Sequence, residues 1–436
     1  MRKELMILAF AATSLSAQEV WTVEECMKYA IEHNHEVRKK EFALDSYKAE
    51  RVASIGAFLP SIGAETGAEY NFGRAIDPET NMYIDENTFA NWYGIGANLP
   101  IFDGLQKIHQ LRAARADVLM GKSALQSERD MTALSTFQAY ADVLYYQGIV
   151  KMAEEKVEES RMTLRQTMVM EEVGQKSPAD VAQIEAQLAT DEYDLTMLSG
   201  KLATAKLQLK QTMNINVDIE VMGGCESFAT SYSDVKILSC DDAQMMATSP
   251  LVQQALYAEK SAKAKLNASW GEVMPSLSLS VGVNTRYNKV LGVDPGMNFG
   301  EQFKNKLGEY VSFNLSVPIF NRLRSVSNIR KARSAYHIAQ EDYLQKCDEL
   351  RKLSEQAVCD RDNYHKQALQ MEKKVSSDSI AYHLMKRKYE EGMASPIDVQ
   401  TTSAALLKSR ASLLQCQLMF ALKNKLVEYY NGSFKF

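Results

Sequence analysis

GQKSPADV (residues 174–181) and GMASPIDV (residues 392–399) share the skeleton G-x-x-S-P-x-D-V. They lie 218 positions apart, and the same offset carries LPIFDG (99–104) onto VPIFNR (317–322). LPS at 59–61 returns as MPS at 274–276, offset by 215. Such self-similarity marks an internal duplication, which overrides length as a guide to domain number in a chain of 436 residues. Two landmarks at one offset give the segments between them, 103–173 and 321–391, equal length.

Both segments read as helix. They lack proline, are rich in Ala, Leu, Lys, Gln, Glu and Arg, and repeat apolar residues three or four apart, as in Leu105, Ile108 and Leu111 or Leu134, Phe137, Ala141 and Leu144. Phase slips between runs resemble coiled-coil stutters. Seventy residues at about 1.5 Å each span on the order of 100 Å. The quoted turns then explain themselves. Gly174 suits the left-handed position past a helix end, Ser177 caps the next helix, Pro178 fits its first turn, and Asp180 completes a capping box. Gly392, Ser395, Pro396 and Asp398 repeat the device. Shorter helices follow the turns (about 179–212 and 397–430) and precede the strand regions (about 22–55 and 241–272). Their summed length matches the long helix, so they are expected to stack end to end beside it. The irregular stretch 213–238, with strand-like Asp218–Val221, would lie at mid-height.

Each repeat also carries two alternating stretches. Ile62, Ala64, Thr66, Ala68, Tyr70 and Phe72 oppose Ser61, Gly63, Glu65, Gly67, Glu69 and Asn71 (strand 61–72). Phe89, Tyr93, Ile95, Ala97 and Leu99 oppose Trp92, Gly94, Gly96 and Asn98 (strand 89–99), with Asn91 out of pattern. Leu277 to Tyr287 and Val311 to Val317 (strands 277–287 and 308–317) alternate in the same way. Ten to twelve residues with one apolar face match transmembrane β-staves, although a half-buried soluble sheet alternates identically. Four strands cannot close a barrel around water, and an open edge in lipid is forbidden, so several copies must share one barrel. Two copies give eight strands with a filled lumen; three give twelve, which can leave a channel. The connections 73–88 and 288–306 read as long polar loops outside the cell.

Arg2 and Lys3, an apolar run from Leu5 to Leu15, and Ser16-Ala17 before Gln18 read as a signal peptide over 1–17. No Cys follows the apolar run to carry a lipid anchor, and nothing after residue 18 is apolar enough for a spanning helix. A net charge of −5 without a basic stripe gives no reason for a nucleic-acid partner. The six cysteines form no C-x-x-C pair; Cys225 and Cys240 either bridge in an oxidising compartment or stay free. His33 and His35, two apart on one expected helix, read as surface residues. No nucleophile–base pair, phosphate loop or metal cluster stands out, so neither an enzyme nor a cofactor is expected.

The order, duplication and spacing of these features resemble the TolC family of outer-membrane efflux and secretion channels. The likeness rests on WTVEECMKYAIE (21–32), LPS before the first strand, PIF at 100–102 and 318–320, and the two tip turns. NFGRAIDP (71–78) resembles the branch found in Bacteroidetes-type bacteria. The resemblance implies a mainly α fold with membrane β: a long antiparallel coiled-coil α-barrel, continuous with a trimeric 12-stranded outer-membrane β-barrel with four strands per chain. The repeats are 18–238 and 239–436. It also implies a homotrimer in outer-membrane lipid, reaching across the periplasm to a periplasmic adaptor (membrane fusion) protein and an inner-membrane pump of RND or ABC type. The expected function is a passive exit duct for a tripartite efflux or type I secretion system, gated at its periplasmic tip. A non-conducting rod tethering the outer membrane is the alternative.

Residue by residue, the resemblance puts the acidic gate positions at Asp180 and Asp398, and a second ring position at Thr401, which carries no charge. A latching Arg of some relatives falls on Ala394, leaving Lys176 or Gln175 for any latch. Adaptor docking falls on Val173, Gly174, Gln175, Ser177, Gly392, Met393 and Ser395. Capping alone also accounts for both Asp residues.

Overall fold

The computed structural model describes residues 20–76, 82–216, 220–221, 242–292 and 296–432. The signal-peptide reading and the Cys225–Cys240 question lie outside them. The elements in chain order are β1 (Val20–Trp21), α1 (Val23–His33), α2 (His35–Gly56), β2 (Ser61–Asn71), β3 (Arg74–Ile76), β4 (Tyr83–Asp85), β5 (Thr88–Phe102), α3 (Gln106–Glu172) and α4 (Pro178–Met213). They continue with β6 (Glu220–Val221), α5 (Asp242–Thr248), α6 (Pro250–Trp270), β7 (Ser276–Val290), α7 (Phe299–Asn305), β8 (Gly308–Ser316), α8 (Arg324–Glu390) and α9 (Pro396–Tyr430). Helices α3 and α8 are both 67 residues long and start 218 positions apart. Two compact units cut across the repeats: Met1–Phe42, Ser123–Gln253 and Lys346–Phe436 form one, Ala43–Lys122 and Gln254–Gln345 the other.

The second unit holds a four-stranded antiparallel sheet in the order β2-β5-β7-β8. Its register pairs Ile62 with Ala97, Ile95 with Val283, and Val281 with Val311. Because side chains alternate with period two, this register gathers the apolar residues of all four strands on one face. Glycines on the opposite face make room for rings. A Cβ on Gly282 would come 2.7 Å from the Tyr310 hydroxyl, and Gly67 lies under the Trp92 indole. Among the described residues, strands β2 and β8 each have a single neighbour in the sheet. Asn91 falls on the apolar face, where its amide donates to the Tyr93 hydroxyl at 2.8 Å.

The strand-to-helix junctions repeat a costly turn. Gly104 and Leu105 have φ of 67° and 66°, and their counterparts Arg322 and Leu323 have 57° and 62°. Three of the four carry a Cβ in the left-handed region, each at roughly 1–2 kcal/mol. Gly104 is also crowded: a Cβ there would meet Met274 Cβ at 2.7 Å and the Gly271 carbonyl at 2.8 Å.

In the first unit, β1 pairs in parallel with β6. The core joins Cys26 and Ala30 of α1, Tyr140, Val143 and Leu144 of α3, Leu209 and Met213 of α4, and Leu414 and Leu418 of α9. Tyr140 donates to the Trp21 carbonyl at 3.2 Å. Burial pushes the Cys26 thiol up to about 12, which leaves it unreactive.

The structure corrects several local expectations. The helix expected over 22–55 is two helices, because the Asn34 carbonyl side chain accepts from the N–H groups of Glu36 and Val37 and restarts the turn. Of the two histidines expected at the surface, His35 is exposed and bonds Asn214 at 3.0 Å, whereas His33 is half-buried and stacked on Tyr29 at 4.0 Å. The helix expected over 241–272 breaks at Pro250, which has no N–H for the preceding turn. The strand-like stretch expected over Asp218–Val221 is borne out at Glu220–Val221, which forms β6. Strands β5 and β7 run further, to Phe102 and Val290. The presumed outer loops contain structure: a β3–β4 hairpin in one and α7 in the other.

Candidate functional site: the tip turns and the cleft above them

After α3, the Gly174 N–H donates to Glu171 O (2.9 Å) and the Gln175 N–H to Met170 O (2.8 Å), with Gly174 at φ 77°. After α8, Gly392 and Met393 bond Tyr389 O (3.0 Å) and Lys388 O (2.8 Å), with Gly392 at φ 76°. This double bond pattern ends a helix by a Schellman motif, which needs a left-handed residue and so favours glycine. The cap of the next helix follows two residues later. The Ser177 N–H and hydroxyl donate to Asp180 Oδ2 at 3.0 and 2.9 Å, and the Asp180 N–H donates back to Ser177 Oγ at 3.2 Å. Ser395 and Asp398 repeat this at 3.1, 2.8 and 3.3 Å. Pro178 and Pro396 occupy the first helical position of α4 and α9.

Each cap holds its carboxyl below the ordinary range. At Asp180 the Ser177 N–H contributes most, then its hydroxyl, with Lys176 adding charge. At Asp398 the Ser395 hydroxyl leads and its N–H follows. A lowered folded pKa stabilises the fold fully above the unfolded value of about 3.9. The contribution is lost as pH falls through the lower folded value. A Ser177→Ala, Ser395→Ala double variant is expected to lose about 1 kcal/mol per cap at neutral pH. Thermal scans from neutral to acid should show the gap between parent and variant narrowing as the carboxylates protonate, because of the bonds removed only the hydroxyl-to-carboxylate ones titrate. Equal midpoints at neutral pH would show that the boxes do not hold the turns.

Of the other expected tip residues, Val173, Gln175 and Met393 are exposed, and a Cβ on Gly174 or Gly392 would meet nothing within 4 Å. Thr401 spends its hydroxyl on the Ile397 carbonyl at 2.8 Å. Ala394 makes no polar side-chain bond. Lys176 reaches across: its ammonium lies 4.5 Å over the Tyr389 ring, joining the first turn to the end of α8.

Above the turns, α3, α4, α8 and α9 enclose a narrow cleft, crossed by polar bonds, that sequence reasoning missed. Glu159 of α3 accepts from both the Tyr382 hydroxyl and the Lys386 ammonium of α8. Thr167 and Tyr389 share a hydrogen bond of 2.8 Å. Burial, and then Glu159, push the Tyr382 hydroxyl up, so it stays a donor. Asp191 of α4 is buried and held by Lys156 (2.6 Å), Ser160 (2.6 Å) and Gln187 (2.7 Å). Gln187 in turn accepts from Gln400 of α9. Polar bonds therefore tie each helix of the first coil to the second coil. Tyr382, Lys386 and Tyr389, at i, i+4 and i+7, share one face of α8, and that spacing was the available signal.

The sequence matches the model of the outer membrane efflux protein family over residues 27–214 and 243–422. The chain belongs to this family. Its relatives include the cation efflux system protein CusC of Escherichia coli O157:H7, 20% identical over 90% of this chain and 82% of CusC. The pyoverdine export outer membrane protein OpmQ of Pseudomonas putida is 20% identical over 94% of this chain and 87% of OpmQ. The outer membrane efflux protein BepC of Brucella suis is 25% identical, over 64% of this chain and 56% of BepC. The fold is that of solved outer-membrane channels. A CusC structure superposes with a TM-score of 0.83 at 16% identity, over 94% of this chain and 91% of that one. The Campylobacter jejuni CmeC channel gives 0.81 at 15% identity, over 95% and 86%. As a member of the family, the protein is placed in the outer membrane, reaching into the periplasm.

Proposed function

We propose that three copies of this chain form the exit duct of a tripartite efflux or type I secretion system. The observation that carries this reading is the sheet: one apolar face, and two edge strands that, among the described residues, are each paired on one side only. In lipid those edges must be paired, and three sheets joined edge to edge make twelve strands, enough for an aqueous lumen. The duct itself is passive. A periplasmic adaptor would dock at Val173, Gly174, Gln175, Ser177, Gly392, Met393 and Ser395, and an inner-membrane pump of RND or ABC type would supply energy and choose the cargo.

Asp180 and Asp398 narrow the tip on this reading, and Thr401 leaves the second ring uncharged. Both carboxylates bond their serine through Oδ2 alone, which leaves Oδ1 for a lumen cation. Lys176 on Tyr389 supports a latch in place of the one that Ala394 cannot form. The deciding experiment is purification of heat-resistant trimers followed by single-channel recording in planar bilayers. Trimers that never conduct would favour a tethering rod. Asp398→Ala is expected to raise the conductance of the closed pore or alter its block by divalent cations. An unchanged response would confine Asp398 to capping.

A further inference from the structure

Helix α7 lies on the apolar face of the sheet, at the end where the strands are joined by loops. Phe299 packs against Tyr287 and Tyr93 at 5.3 and 6.2 Å between ring centres, and Phe303 packs against Tyr93 at 5.7 Å. Thr285, a polar residue on that face, is buried and donates to the Phe303 carbonyl at 2.8 Å. Strand β8 begins at Gly308, opposite Asn284, so β7 has no β8 partner beyond that point. The fully buried Gln302 takes its place. Its amide nitrogen donates to Asn288 O at 3.0 Å, and its carbonyl accepts from the Asn288 N–H at 3.1 Å and from Lys306 at 2.7 Å. This is the two-bond pattern of an antiparallel strand pair, supplied by one side chain. A capping box from Asn298 and Glu301 fixes the other end.

The helix is therefore rigidly mounted, yet Phe299 stays 46% exposed and Met297 beside it 41%. Its aromatic rings pack on β5 and β7, the two central strands of the sheet. An apolar sheet face in the outer membrane meets lipid, and α7 continues that face at its loop end. Aromatic rings with an exposed cation alongside, here Lys304, suit the boundary between acyl chains and headgroups.

We propose that α7 is an interfacial anchor, seated in the lipid of the outer leaflet with Phe299 and Met297 at the acyl boundary and Lys304 among lipid phosphates. The inference rests on outer-membrane residence and not on conduction, so single-channel recording tests the duct reading separately.

The test is Phe299→Trp in reconstituted trimers, read as the difference in emission from the parent with its three native tryptophans. Phospholipids brominated near the glycerol, brominated at the chain end, and aqueous iodide serve as quenchers. Seating at the expected depth of roughly 5–10 Å makes the shallow bromines the strongest quencher. Quenching mainly by iodide would put the helix in water and overturn the proposal. Protection from all three would put it under another protein surface and overturn it equally. Met297→Trp repeats the measurement should Phe299→Trp fail to give heat-resistant trimers.

Discussion

Lys386→Glu is expected to open the tip, raising the conductance of reconstituted trimers and the uptake of bulky solutes by cells. The substitution faces Glu159 with a like charge in a cleft where that carboxylate also accepts from Tyr382. Both partners are about a third exposed, so the ion pair itself is screened and worth little. Hydrogen bonds to a charged acceptor are worth about 1.5–3 kcal/mol. Loss of the Tyr382 bond through repulsion then shifts the closed-to-open ratio roughly tenfold to hundredfold. Tyr382→Phe should give part of the effect without changing charge. The swap Glu159→Lys with Lys386→Glu should restore the parent conductance, which a merely damaged coil would not do. Unchanged conductance in the single variant would remove the cleft from gating.

Gly104→Val is expected to abolish assembly, read as loss of heat-resistant trimers from the outer-membrane fraction. The residue needs φ of 67°, and its neighbours are a backbone carbonyl and a Cβ, neither of which can swing aside. Left-handed strain of about 1–2 kcal/mol adds to overpacking of about 1–3 kcal/mol. Its counterpart Arg322 has the same backbone conformation, but its side chain is exposed. Arg322→Gly should therefore leave trimer yield intact. A normal yield from Gly104→Val would mean that the junction can rearrange.

The long helices, the turns and the strand faces were legible because each follows from a local rule repeated at one offset. Ser177 and Asp180, or Ser395 and Asp398, meet wherever a helix begins there. The cleft was not legible, since Glu159 and Lys386 are 227 residues apart in sequence and meet only through the packing of one repeat on the other. The break at Asn34 escaped notice because a two-bond side-chain cap leaves the apolar period unchanged. Helix α7 was hidden for a different reason. Its key residue, Gln302, looks like a loop amide and acts as a substitute strand.

The bare edges of β2 and β8 also bear on how such a protein can be made. Each unmet amide in hydrocarbon costs several kcal/mol, so a solitary sheet has no stable place in the bilayer. On the three-chain reading, insertion waits for a ternary encounter whose rate rises with the cube of protomer supply. The number of ducts per cell would then respond to gene dosage far more steeply than the amount of polypeptide does.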